Sequence, residues 1–365
     1  MARQNVGNPK FYIDYLSYWK AKGNIESVTY GDADSPEKLI GLNPSDYIYG
    51  TQIYPHNIEI DLRQSLYIPT ESDDKFFMGF FGHNYEDTDV ESIVLSLYNS
   101  GGSEVYNVGG EQAASITINE ICNWGNWDTT RYNGWSMGEW TGGDWDDFNK
   151  LVFAIDRDNT EESINALGSI AFGYAYQMPH SPNLELTMTR EYDGVQEQET
   201  IGGASLTQIN YHSAANWVGQ PAWELFTEEV ETLIDEGMIE YRDSAKGRRI
   251  WNLKFSYIGG DDIFPLNQNL WANNPSDSDT NSLADYDDDD FTDGNFISDI
   301  RRDSSFIGVV MEKTIGGALP FIFQPDGNNN SPDQFAICKL DQSSFKFKQV
   351  AHNVYDISLK IREVW

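Results

Sequence analysis

In the segment Ile58-Glu59-Ile60-Asp61-Leu62, apolar and polar residues alternate with a period of two, which predicts a strand with one buried face. Phe76 to Gly82 is a continuous apolar run closed by glycine, as in a fully buried strand. Ser92–Tyr98 follows, and Asn99-Ser100-Gly101-Gly102 then turns the chain. Ser115–Ile118 and Lys150–Ile155 continue the series. Short apolar segments separated by Gly, Asn and Asp clusters predict a sandwich or barrel, here read as a jelly roll. Pro179-His180-Ser181-Pro182 excludes helix and suits a junction.

Beyond the junction, Leu184–Thr189 alternates, and a hairpin is predicted through Asp193-Gly194. One helix is predicted, Phe226 to Glu240, with Phe226, Val230, Leu233, Ile234 and Met238 on one stripe and Glu228 and Glu229 in its first turn. Arg249 to Tyr257 is a long alternating strand, with Arg249, Trp251, Leu253, Phe255 and Tyr257 on the inward face. In the last segment, Tyr355, Ile357, Leu359, Ile361, Glu363 and Trp365 share a face of another strand.

The expected fold class is therefore all-β, mainly strands with one helix: a jelly-roll β-sandwich followed by a second β-barrel or sandwich domain. Residues 1–35 are expected to be an N-terminal arm packed on the second domain. Residues 36–182 form the jelly roll, and residues 183–365 the second domain, with helix 226–240 and an acidic loop at 261–299. No repeat of solenoid or propeller length is present.

Composition narrows the partners. The chain of 365 residues carries 58 acidic and 24 basic side chains, a formal charge of −34. Duplex phosphates and anionic lipid surfaces would repel it, so neither nucleic acid nor membrane is an expected partner. No apolar run approaches the roughly 20 residues of a membrane-spanning helix, and the first residues lack a secretory h-region. Cys122 and Cys338 are too few for a zinc site or a disulfide framework and are read as buried thiols.

Candidate chemistry is sparse. Asp285 to Gly294 is rich in carboxylates, but its sixth and twelfth positions, Asp290 and Phe296, break the calcium-loop pattern, and it is read as a solvated loop. His56, His83, His180, His212 and His352 form no metal-binding spacing, and no phosphate loop or nucleophile elbow occurs. No catalytic residue, metal site or cofactor is expected. Five tryptophans fall between Trp124 and Trp145, interleaved with Asn, Asp and Gly. Trp124, Trp127, Trp135 and Trp140 are the candidate glycan-stacking or interface aromatics, because indole faces stack on sugar C–H faces and are equally favoured where proteins meet.

Several segments carry a resemblance. Phe80-Phe81-Gly82-His83-Asn84-Tyr85 resembles part of the galactose-binding-like jelly-roll modules of tailed-bacteriophage virion proteins, and Leu167–Tyr174 with Met178–Leu184 looks like the closing strand and exit of that module. Gly247-Arg248-Arg249-Ile250-Trp251-Asn252-Leu253-Lys254-Phe255-Ser256-Tyr257 resembles a strand of phage tail-tip proteins. Leu319–Asp326, Gln334–Ala336 and Val354–Trp365 are similar to distal-tail and minor-tail proteins. The family places its ring-forming barrel first, whereas here the jelly-roll features come first. The resemblance implies a non-enzymatic structural protein of the virion tail, in the tail tip or baseplate. It would work as a homo-oligomeric hub or adaptor that contacts other copies of itself and other tail proteins. The alternative is a carbohydrate-binding module that attaches the virion to host-surface glycans.

Overall fold

The computed structural model describes residues 7–43, 46, 48–52, 56–68, 74–83, 90–108, 119–124, 134–142, 145–157, 163–183, 187–191, 195–209, 248–264, 305–330, 334–342 and 344–364. The first half holds β1 (Lys10–Asp14), α1 (Tyr15–Ala21), β2 (Ile25–Tyr30), β3 (Ile48–Gln52), β4 (His56–Ile68), β5 (Lys75–His83) and β6 (Val90–Tyr98). It continues with β7 (Glu104–Val108), β8 (Asn119–Trp124), β9 (Gly134–Thr141), β10 (Trp145–Arg157), β11 (Ser163–Leu167) and β12 (Ser169–Gln177). The second half holds β13 (Thr187–Glu191), β14 (Val195–Glu199), β15 (Ser205–Ile209), β16 (Arg248–Gly259) and β17 (Phe321–Gln324). It ends with β18 (Ala336–Leu340), β19 (Phe347–Ala351) and β20 (Val354–Glu363). The protein is all-β in class, as its alternation predicts.

Two antiparallel sheets form a sandwich. The larger has eleven strands in the order β13-β16-β20-β18-β17-β1-β12-β5-β9-β8, with β19 also paired to β20. The smaller runs β2-β4-β10-β6-β7. The alternation in β4 places Ile58, Ile60 and Leu62 in the core, while Glu59 and Asp61 point outward to Lys150 (2.6 Å) and Ser27 (2.8 Å). From the large sheet, Phe76, Met78, Phe80, Trp140 and Phe172 face Leu95, Leu97, Leu151, Phe153 and Ile155 of the small one. Phe153 meets Phe80 and Phe172 edge-on, with centroids 6.0 and 6.2 Å apart. The other face of the large sheet is apolar as well, with Tyr12, Phe77, Phe81, Met137, Ala171 and Ile322 buried together. Burial on both faces explains why β5 reads as a continuous apolar run.

The expected N-terminal arm is instead an integral part of both sheets. β1 pairs with β12 on one side (Phe11↔Tyr176, Ile13↔Tyr174) and with β17 on the other (Phe11↔Phe323). β2 edges the small sheet against β4. The large sheet thus crosses the 182/183 junction without a break. The cause lies in the segment itself. Phe11 and Ile13 enter one core and Tyr12 the other, so Lys10–Asp14 is stable only inside a sheet.

Three local features depart from the alternation. Asp14 caps an unpredicted helix, α1, by accepting from the Leu16 and Ser17 amides at 3.1 Å each. β13 pairs with β16, and β14 and β15 form a hairpin with each other. Its turn is closed by Thr200, whose hydroxyl accepts from the Ala204 amide at 3.0 Å, and by Gly203 at φ +81°. A bulge in β16 between Phe255 and Ile258 leaves Tyr257 exposed at φ +64° and returns Ile258 to the core. Trp251, Leu253 and Phe255 are buried as predicted, and so are Ile357, Leu359, Ile361 and Glu363 of β20. Helix 226–240, Asp193-Gly194, Trp365 and all but the first four residues of the acidic loop lie outside the described residues.

Candidate functional site

The candidate aromatics separate by strand position. β8 is an edge of the large sheet, and its register sets Trp124 opposite Trp135 of β9, which in turn is opposite Phe81 of β5. Trp140, farther along β9, is 1% exposed. Its ring stacks on Phe172 at 6.4 Å and lies 6.3 Å from Phe76. It is a core residue, and the expectation that it stacks on a glycan is corrected on that ground. Positions 135 and 140 are an odd number apart, so one regular strand cannot turn both to the same face. Trp127 lies outside the described residues. Trp124 and Trp135 are the two candidates that the fold brings together.

His83, at the end of β5, is buried with its Nε2 2.9 Å from the Ser136 hydroxyl. Desolvation pushes its pKa down to about 3, so the ring is neutral at physiological pH and acts as a hydrogen-bonded structural group.

A buried polar seam joins the halves, and sequence reasoning missed it. Lys10 Nζ contacts both carboxylate oxygens of Glu139 at 2.9 and 3.1 Å. Tyr12 Oη lies 2.6 Å from Glu139 Oε1 and 2.9 Å from Gln324 Oε1, and its single proton serves one acceptor at a time. The Gln324 amide donates to the Asn329 carbonyl at 2.8 Å. Small Ala175, opposite Tyr12, leaves room for the ring, which meets Phe77 edge-on at 5.2 Å. The sequence signal is a charged or amide residue beside large apolar ones: Lys10 before Phe11-Tyr12-Ile13, Glu139 before Trp140, Gln324 after Phe321-Ile322-Phe323. Such residues stay buried only when paired, but alternation does not name the partner.

A second buried pair closes the far end. Arg249 Nε and Nη2 donate to Glu363 at 3.0 and 2.8 Å, and Nη2 also donates to the Phe335 carbonyl at 2.9 Å. Beside it, burial raises the Cys338 pKa well above that of an ordinary thiol, which keeps it protonated and unreactive. The Asp14 carboxyl is raised to about 6 by burial, against hydrogen bonds from Ser17, Phe172 and Leu16.

Among the described elements, the β14–β15 hairpin is the most exposed. Residues 197–207 are all exposed, with Ile201 at the tip fully so and Leu206 more than half. Among the described residues, no cluster of three or more His, Cys, Asp or Glu side chains is placed to hold a metal ion, and no helix is long and apolar enough to cross a membrane. The described geometry offers an exposed ribbon, and a sheet edge whose register pairs Trp124 with Trp135, around a core locked by ion pairs.

No protein-family description and no curated protein matches the chain. Among solved structures, it is similar to a pectin-binding carbohydrate-binding module with a TM-score of 0.21 and 10% identity, over 41% of this chain and 90% of the module. A likeness that weak bears on neither topology nor function.

Proposed function

We propose that this chain is a non-enzymatic structural component of a bacteriophage virion, a hub or adaptor of the tail tip or baseplate that assembles as a homo-oligomer. The observation that carries the reading is the single large sheet. It is threaded by β1, pinned by the Lys10–Glu139 and Arg249–Glu363 pairs, and accompanied by an exposed two-stranded ribbon that is not paired into it. A stiff plate with an exposed ribbon suits stacking between copies. The tail-tip resemblance of Gly247–Tyr257 and Val354–Trp365 falls on β16 and β20, adjacent strands next to the β13 edge of that plate. A charge of −34 keeps free copies soluble before assembly and repels DNA wherever the protein borders a channel.

Mass spectrometry of purified virions should detect the chain, and light scattering of the recombinant protein should give a closed oligomer. Absence from the particles, or a monomer at every concentration, overturns the reading.

The facing positions Trp124 and Trp135 at the sheet edge favour a second reading, attachment to host-surface glycans. Glycan binding lost in Trp124→Ala and Trp135→Ala, with particle assembly intact, would move the function there.

A further inference from the structure

We infer that the β14–β15 ribbon is a docking arm whose acidic face binds the cationic outer face of β16 and β20 on a second copy of this chain. The inference rests on the homo-oligomer reading and names its contact. A lone two-stranded hairpin is marginally stable in water and gains from packing against another surface. Here the turn is well built, yet residues 197–207 are exposed throughout, and among the described residues β14 and β15 pair only with each other. The tip presents Ile201 to solvent.

Charge identifies the partner. Between Val195 and Ile209 the only charged residues are Glu197 and Glu199. They are two apart on one strand, so they share a face at a spacing of roughly 7 Å.

In a chain with 58 acidic and 24 basic residues, the outward positions of β16 and β20 carry four cations, Arg248, Lys254, Lys360 and Arg362, against one carboxylate, Asp356. Arg248 and Lys254 of β16 alternate with the buried Trp251 and Leu253, and Lys360 and Arg362 of β20 alternate with the buried Leu359 and Ile361. Lys254 is opposite Ser358 and Lys360 opposite Asn252, so the two lysines are diagonal neighbours, also roughly 7–8 Å apart. Arg362 and Lys360 already hold Glu191 and Asp341 of the same chain at 2.6 Å each, so a docking carboxylate shares the Lys360 ammonium with Asp341. Two carboxylates and two ammonium groups at matching spacing favour one register, and complementary charge of this kind gives an interface its specificity.

The test is sedimentation equilibrium on the full chain and three variants. Glu197→Lys with Glu199→Lys should weaken self-association about tenfold without moving the melting temperature, since like charges then meet at the contact. Lys254→Glu with Lys360→Glu should weaken it similarly, and combining all four changes should restore it. A wild-type chain that stays monomeric overturns the homo-oligomer reading and this inference with it. An oligomer indifferent to the arm charges overturns the inference alone. Arm sensitivity without rescue by the fourfold exchange overturns the assignment of the receiving face.

Discussion

Gly173 of β12 lies directly beneath the Ile13 carbonyl of β1: a Cβ at position 173 would stand 1.9 Å from that oxygen and 2.9 Å from the Tyr15 amide nitrogen. Both neighbours are backbone, so neither can swing aside. The glycine is what allows β1 to lie in the sheet and α1 to leave it at this point. Gly173→Ala should therefore destabilise the protein by about 1–3 kcal/mol, as overpacking of a tight site does. The check is the midpoint of urea unfolding, and an unchanged midpoint would mean that β1 does not dock here.

The Lys10–Glu139 pair makes a non-additive prediction. Lys10→Met leaves a buried carboxylate without its cation and should remove about 3–5 kcal/mol. Lys10→Met combined with Glu139→Gln removes both charges, and the Gln can still accept from Tyr12. Most of the lost stability should return in the double variant. Losses that simply add would mean the two groups are not coupled.

Much of the fold is legible in single strands. Ile58–Leu62, Arg249–Phe255 and Ile357–Glu363 bury the faces that alternation assigns them, because a half-buried strand writes its environment into its own residues. Partnership is not written that way. Nothing in Lys10–Asp14 names Gly173–Gln177 or Ile322–Gln324 as neighbours, so the bridging strand and the seam of Lys10, Tyr12, Glu139 and Gln324 escape a local reading. One extra residue at the bulge was enough to turn Tyr257 outward. The candidate site was half legible: Trp124 and Trp135 fall on the neighbouring strands β8 and β9, but that Trp140 lies on the opposite parity from Trp135 follows only once β9 is known to be one strand.

Two buried groups give opposite pH dependences. Asp14 is raised from 3.8 to about 6, so the native state holds its proton more tightly than the unfolded chain. Its effect favours folding below pH 4 and is lost as pH rises to 6, a change of about 3 kcal/mol. His83 is lowered from 6.5 to about 3, so the unfolded chain takes the proton first. Stability is then full above pH 6.5 and falls by about 2 kcal/mol by pH 5. The stability difference between wild type and Asp14→Asn should shift against wild type as pH rises from 4 to 6. The difference from His83→Gln should shift against wild type as pH falls from 6.5 to 5. Parallel curves for either pair would remove that group from the account.

Trp140 is fixed between Phe76 and Phe172, so Trp140→Ala should act on stability, by about 3–5 kcal/mol. If glycan binding is found, any loss of it in this variant should track the fraction unfolded. Selective loss of binding in a fully folded Trp140→Ala protein would contradict the core assignment.

The last prediction concerns the unit that folds. β17 takes β1 as its neighbour on one side, and Phe11 lies 5.1 Å from Phe323 and 6.0 Å from Phe306, so the second half borrows a strand and an aromatic anchor from the first. A fragment of residues 183–365 would expose the edge of β17 and the apolar side chains that Phe11 covers, and bare apolar edges associate non-specifically. Expressed alone, it should be insoluble or lack a cooperative unfolding transition. Co-expressed with residues 1–182, it should be recovered in the soluble fraction as a complex, because β1 then restores the missing pairing. Extending the fragment at its N-terminus by residues 7–14 through a flexible linker should give partial recovery for the same reason. A fragment of 183–365 that unfolds cooperatively by itself would show that the strand crossing the junction joins two finished domains rather than completing one sheet.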